Sequence, residues 1–233
     1  MTKERVAVLI PCYNEQNTIG NVIRDFQKHC PEADIYVYDN CSTDMTAKVA
    51  REAGATVVYS PRKGKGNVIR HMLRTIDADV YVTVDGDGTY FAKDLPYLLY
   101  VRQINDCDMV IGDRLSSSYF VENKRPFHNI GNRLVCGLVN VLFHGNVSDV
   151  MTGYRVMSRR FCENMPLLAT GFETETEITI HALRQKREII SVPVKYQDRP
   201  EGSKSKLHTF RDGYSIIRFI FAMKVNIRRY GKE

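Results

Sequence analysis

The chain has 233 residues, 43% of them apolar and 26% charged, the composition of an ordinary globular protein with enough chain for one large domain or two small ones. No uninterrupted apolar run approaches the roughly 18–20 residues of a membrane span, and Met1-Thr2-Lys3-Glu4-Arg5 does not read as a secretory signal. The net charge of +6 and pI near 9.0 admit anionic partners, but no zinc-finger, RNA-recognition or basic-zipper pattern accompanies them, so nucleic acid is not expected.

Short β-branched runs alternate with helix-length amphipathic segments. Strands are predicted over 6–10, 35–38, 56–59, 80–84 and 109–111, with helices over 17–29, 43–53, 65–77 and 94–105 between them. That alternation predicts an α/β fold with a mostly parallel, twisted sheet and helices on both faces. The second half is less regular: a helix over 128–144, a loop over 145–155, a helix over 173–187, a strand over 189–194 and a basic Gly/Ser loop over 199–206. Six scattered cysteines form no C-x-x-C pair and read as reduced thiols.

Ligands of such sheets gather beyond the carboxyl ends of the strands, and the polar motifs obey that rule. Pro11-Cys12-Tyr13-Asn14-Glu15 follows the first strand and offers an aromatic face and hydrogen-bonding groups, or simply a helix cap through Asn14 or Asn17. Asp39-Asn40-Cys41-Ser42-Thr43-Asp44 follows the second; Ser42 or Thr43 can cap the next helix, and Asp39 is a candidate acceptor for a base. Arg62-Lys63-Gly64-Lys65-Gly66 is a basic glycine turn at a helix start, suited to pyrophosphate or merely exposed; it fits neither a Walker A loop nor G-x-G-x-x-G. Asp85-Gly86-Asp87-Gly88-Thr89-Tyr90 follows the fourth strand. Residues i and i+2 of an extended segment share a face, so the stretch is either a polar turn with two solvated acids or a pair of carboxylates that converge on Mg²⁺ or Mn²⁺ shared with substrate phosphates. The spacing does not make an EF-hand.

As a set, I-P-C-Y-N-E, D-N-C-S-T-D, G-K-G, D-G-D-G-T-Y, G-D-R, S-D-V-M-T-G-Y-R and R-P-E-G-S-K-S-K-L resemble the family 2 glycosyltransferases with a GT-A fold, and within them the polyprenyl-phosphate glycosyltransferases. The resemblance covers residues 5–212. It implies a Rossmann-like nucleotide-binding half plus an acceptor half, forming a catalytic domain over 1–212. Residues 213–233 would add an amphipathic helix that lies on a membrane, docks to a small membrane-protein partner, or packs on the domain.

The resemblance further implies that Pro11, Tyr13, Glu15 and Asp39 surround the base and ribose and that Lys65 and Asp85 contact the nucleotide. Asp87, with Asp85, would hold the metal. Arg114 would face the acceptor phosphate, and Asp149, Gly153 and Arg155 would lie beside sugar and acceptor. Arg199, Ser203, Ser205 and Lys206 would form a basic loop over the phosphates. Arg125, His128 and Arg133 lie where the pattern is loose, with Arg133 a further acceptor-phosphate candidate. Asp87, Arg114, Asp149, Arg155 and Arg199 are thus the expected catalytic set.

The implied reaction is metal-dependent, inverting transfer of a sugar from a nucleotide-sugar to polyprenyl phosphate at the cytoplasmic face of a membrane. A UDP-hexose such as UDP-GlcNAc or UDP-glucose is the preferred donor and GDP-mannose the other, and a homo-oligomer is compatible. Two other readings stand. A saccharide hydroxyl could be the acceptor, with Asp149 or a glutamate among 173–177 as base, or the chain could be a non-catalytic nucleotide-sugar-binding subunit.

Overall fold

The structure is a computed structural model that describes residues 4–116, 126–163, 165–200, 206 and 209–230. The elements in chain order are β1 (Val6–Cys12), α1 (Ile19–His29), β2 (Asp34–Asp39), α2 (Thr46–Glu52), β3 (Thr56–Tyr59), α3 (Lys65–Thr75) and β4 (Val80–Thr83). A single 3₁₀ turn (Ala92–Asp94) leads into α4 (Leu95–Asn105). Then follow β5 (Met109–Asp113), α5 (Pro126–Phe143), β6 (Arg155–Ser158), the short α6 (Arg159–Cys162), α7 (Thr174–Arg184), β7 (Ile189–Pro193) and α8 (Thr209–Tyr230).

The strands form one seven-stranded sheet in the order β3-β2-β1-β4-β6-β5-β7. All pairings are parallel except those of β6, which runs antiparallel between β4 and β5. The sequence predicts a loop over 145–155 and no strand at β6. All four of its residues are buried, so it lacks the period-two alternation that marks a half-buried strand. Its direction matters for the site, because the start of an antiparallel strand lies at the same edge as the carboxyl ends of its parallel neighbours.

Alternate side chains of β1 go to opposite faces, as the strand period dictates. Ala7 and Leu9 join a core with Val68, Ile69 and Met72 of α3 and with buried residues of α5, α7 and α8. Val8 and Ile10 join a second core with Ile19, Ile23 and Phe26 of α1 and Leu95 and Leu98 of α4. Each fully buried Leu, Ile or Phe contributes roughly 1.5–3 kcal/mol, so both faces of the sheet are anchored and its upper edge is a rigid platform.

The C-terminal helix begins at Thr209, so the boundary expected after residue 212 falls inside it. Ile216, Ile220 and Met223 are buried in the same core as Val139 and Phe143 of α5. One side of this helix is therefore packed on the domain. Among the described residues no helix is long and apolar enough to cross a membrane.

Candidate active site

The polar motifs converge at the carboxyl edge of the sheet. Behind β1, the backbone of Asn14 adopts a left-handed conformation, and its side chain caps nothing in α1. The Thr43 N–H donates to Asn14 Oδ1 at 2.8 Å, and the Asn14 N–H donates to Ser42 Oγ at 2.9 Å. The first two loops are thus tied to each other. Neither Ser42 nor Thr43 caps α2 as expected; Asp44 Oδ1 accepts the Thr46 N–H at 2.9 Å. Asp39 is buried and its Oδ1 accepts the Ser42 N–H at 3.2 Å. Pro11, half-buried, pairs in register with Tyr38. Thr18, just before α1, donates to the Gly86 carbonyl at 2.7 Å, fixing the two-carboxylate turn against the first helix.

Asp87 is 2% exposed, and its Oδ1 accepts both the Thr89 N–H (3.1 Å) and the Thr89 hydroxyl (2.7 Å). Thr89 therefore orients the carboxylate. The other oxygen, Oδ2, faces Arg199 Nη2 at 2.5 Å, and Arg199 Nη1 lies 3.6 Å from Glu15 Oε1. Lys206 also pairs with Glu15, donates to the Asn14 carbonyl at 3.1 Å and stands over the Tyr13 ring, which Lys63 flanks as well. Burial raises the Glu15 pKa, and the charges of Lys206 and Arg199 only partly offset it. Two cations of the basic loop thus reach the first motif. Ser203 and Ser205 lie outside the described residues.

Asp85 Oδ1 is 2.6 Å from Lys65 Nζ, and the same ammonium is 2.6 Å from Glu175 Oε1. Burial opposes ionisation of Asp85, but Lys65, with smaller help from Arg114 and Arg199, holds its pKa below the usual range. A Cβ at Gly153 would lie 2.5 Å from Asp85 Oδ2, so only glycine lets the 149–153 loop pass this carboxylate. The backbone of the basic glycine turn does not remain open for phosphate. The Gly64 N–H donates to Asn40 Oδ1 at 2.8 Å and the Gly66 N–H to the Thr170 carbonyl at 3.1 Å. Asn40 also donates to the carbonyls of Ser60 and Arg62, so it shapes this turn.

Arg114 meets Asp149 as a fork: Nε to Oδ2 at 2.8 Å and Nη2 to Oδ1 at 3.1 Å. Its guanidinium also lies over the Tyr196 ring at 5.3 Å. Asp149 is fully buried and accepts further from Asn132 and the Met151 N–H. Burial works against its charge, yet Arg114 and these donors hold its pKa low. The expected placement of Asp149 beside the substrate is corrected accordingly: no part of it is exposed, and it positions Arg114.

Arg155 requires the same correction. It is fully buried, with Nη2 donating to the Val150 carbonyl (2.8 Å), Nε to the Thr152 carbonyl (3.1 Å) and Nη1 to Thr179 Oγ1 (2.9 Å). It carries the 150–152 loop from below and has no surface for a phosphate. Arg133 is exposed on α5, whereas its neighbour Asn132 is buried and donates to Asp149 Oδ1 at 3.3 Å.

Glu175 is a residue that sequence reasoning singled out only as one of several glutamates. Its relatives on α7 do other work: Glu177 accepts the N–H groups of Leu168 (2.7 Å) and Ala169 (2.9 Å), and Glu173 accepts that of Gly171 (3.1 Å) and contacts Ser215.

Among the described residues no three His, Cys, Asp or Glu side chains cluster as a protein-only metal cage. The hard oxygens of Asp85 and Asp87 instead suit a divalent cation that completes its shell with phosphate oxygens and water.

The chain is similar to known glycosyltransferases. A family model described as Glycosyl transferase family 2 matches residues 7–165. Glycosyltransferase AglJ of Haloferax volcanii is 34% identical over 222 residues, which are 93% of this chain and 71% of that protein. A dolichyl-phosphate hexose transferase of the same organism is 30% identical over 218 residues, 92% of each chain. The solved structure of Mycobacterium tuberculosis glucosyl-3-phosphoglycerate synthase with Mn²⁺, uridine-diphosphate and glucosyl-3-phosphoglycerate superposes with a TM-score of 0.72 at 20% identity, covering 98% of this chain and 80% of that one.

Proposed function

The chain belongs to glycosyltransferase family 2 and is a glycosyltransferase of GT-A fold, and from this we propose that it transfers a sugar from a nucleotide-sugar to a polyprenyl phosphate. The observation that carries this reading is the meeting of Asp85 and Asp87 with Arg114 and Arg199 at one edge of the sheet. A donor diphosphate and an acceptor phosphate repel one another, and guanidinium groups arranged around one point bring them together across the anomeric carbon.

The nature of the acceptor is argued from the carboxylates. A saccharide hydroxyl needs a general base. Asp149 is buried under Arg114, both oxygens of Glu177 accept backbone N–H groups, Glu173 is bonded to Gly171, and Glu175 is held by Lys65. A phosphate monoester needs no base, since its second pKa near ~6 leaves it mostly dianionic at neutral pH. The named function of the dolichyl-phosphate hexose transferase relative agrees with such an acceptor.

In this reading Tyr13, Glu15 and Asp39 border the nucleoside, and Pro11 sets the turn that carries them. Asp87, with Asp85, holds a divalent cation, Mg²⁺ or Mn²⁺, which would supply charge neutralisation for the leaving diphosphate. Arg199 and Lys206 close on the phosphates and Arg114 faces the acceptor, with Ser203 and Ser205 adding hydroxyls to the loop. In-line attack inverts the anomeric centre. A UDP-hexose is the favoured donor, and the protein works peripherally on the cytoplasmic side of a membrane.

The test offers a panel of nucleotide-sugars with and without polyprenyl phosphate and identifies products by mass. A polyprenyl-phosphate hexose formed only with divalent cation present is expected. Transfer to saccharide hydroxyls with no lipid product would overturn the reading.

A further inference from the structure

We infer that Tyr196 is a positioning residue for transfer: its ring sets the tilt of Arg114, and the segment that it starts brings Arg199 to the two-carboxylate turn. Tyr196 belongs to none of the sequence motifs and to no expected site. Its effect on the acceptor rests on the proposed phosphate acceptor; its hold on Arg114 does not.

The placement follows from the sheet. β5 and β7 are parallel neighbours, with Asp113 opposite Pro193. Their pairing continues past β7, where the Val194 N–H donates to the Asp113 carbonyl at 3.0 Å. Arg114 and Tyr196 therefore leave the sheet side by side, and the guanidinium lies 5.3 Å from the centre of the ring. Asp149 grips the same guanidinium along its Nε and Nη2 edge. A fork fixes a planar ion within its own plane, whereas a ring against its face fixes the tilt of that plane.

The half-buried ring is held in turn by other rings. Tyr90 meets Tyr196 edge to face at 5.1 Å, and Tyr154 meets Tyr90 at 5.3 Å. The Tyr90 hydroxyl accepts the Gly153 N–H at 3.0 Å and is 3.1 Å from Thr152 Oγ1. Beyond the rings, the backbone joins two distant parts of the site. Tyr196 and Tyr90 form an antiparallel bridge, although β5 and β6 lie between β7 and β4. Gln197 donates its N–H to the Thr89 carbonyl at 3.0 Å and its side-chain amide to the Gly88 carbonyl at 2.8 Å. Two residues later Arg199 meets Asp87 at 2.5 Å. Residues 196–199 thus run antiparallel to 87–90, and Tyr196 is the point from which both guanidinium groups take their register.

The test compares wild type, Tyr196→Leu and Tyr196→Phe in steady-state transfer to farnesyl phosphate with Mn²⁺ and UDP-glucose, UDP-GlcNAc or GDP-mannose. Tyr196→Leu should raise the farnesyl phosphate KM by about three- to thirtyfold and shift the donor KM by less than about twofold. Tyr196→Phe, which keeps the ring, should recover most of that difference. A lower thermal midpoint and a lower kcat with both KM values unchanged would mean that the ring only supports the fold, and would overturn the proposal. So would a Phe variant as impaired as the Leu variant. A second measurement does not depend on the acceptor. In protein carrying ¹⁵N-arginine, the Arg114 Nε–H resonance, identified by its loss in Arg114→Lys, lies under the ring current of Tyr196. It should move in the Leu variant and stay near its wild-type position in the Phe variant. If the wild type makes no lipid product with any of the three donors, the result counts against the proposed acceptor, and this resonance alone decides the role of Tyr196. A resonance that does not move in the Leu variant overturns it.

Discussion

Arg199 Nη2 stands 2.5 Å from Asp87 Oδ2, on the carboxylate that the proposed cation would use. Thr89 holds the other oxygen of the same group. A guanidinium and a divalent cation thus compete for one anion until a donor brings phosphates to take the guanidinium. Arg199→Gln should therefore bind Mn²⁺ more tightly in the absence of nucleotide, by roughly three- to tenfold for a partly exposed pair, while its transfer rate falls. Asp87→Asn should lose both metal binding and turnover. Titration followed by electron paramagnetic resonance of free Mn²⁺ measures the first effect; an unchanged affinity in Arg199→Gln would show that the pair does not compete.

Lys65 sits between two carboxylates, 2.6 Å from Asp85 and 2.6 Å from Glu175. Its removal leaves like charges facing each other at low exposure. Lys65→Met is expected to destabilise the fold by about 3–5 kcal/mol. Adding Glu175→Gln should recover at least ~1 kcal/mol, because one of the two stranded charges is gone. Urea denaturation of the four proteins in the cycle provides the numbers, and strictly additive losses would mean that the three groups are not coupled.

A Cβ at Gly66 would overlap the Ala169 carbonyl and Thr174 Oγ1. Arg70 reinforces the same approach by donating to the carbonyls of Leu167 (2.7 Å) and Ala169 (2.8 Å). Gly66→Ala should cost about 1–3 kcal/mol as an overpacked contact. It should lower the thermal midpoint and leave nucleotide affinity of the folded protein nearly unchanged. If calorimetry instead found a large loss of nucleotide affinity at wild-type stability, the turn would be a phosphate cradle after all.

What could be read ahead of the structure, and what could not, divides along burial. Asp85 and Asp87 stand out because a buried strand ends abruptly in acids, a contrast visible in residue order. Arg155 does not: an arginine inside a charged motif looks the same in sequence whether it grips phosphate or three groups of its own chain. β6 was hidden for the same reason, since burial on both faces erases the alternation that marks a strand. Glu173 and Glu177 lie about 40° apart around the helix and Glu175 about 200° from Glu173, and only the position of α3 selects the middle one. The glycines of the basic turn were legible as a turn at a helix start, but the 169–170 backbone that requires them is a hundred residues away.

The Arg114–Asp149 pair makes stability depend on pH in a definite direction. Burial alone would raise the Asp149 pKa, but the Arg114 charge and its hydrogen bonds bring it below the ordinary aspartate value, which is about 3.9 in an unfolded chain. A carboxylate lowered on folding contributes stability that is present above the unfolded value and is lost as pH falls through the folded one. At neutral pH, Asp149→Asn should cost about 3–5 kcal/mol, because the largely buried Arg114 loses the carboxylate that it forks. Below about pH 4 the unfolded wild-type chain takes up this proton while the folded carboxylate still resists it, so the difference between the two proteins should start to shrink there and go on shrinking as pH falls. Guanidinium denaturation at pH 7, 5, 4 and 3 measures this. A gap that stays constant across that range would mean that Asp149 supports Arg114 through shape and hydrogen bonding alone, without its charge.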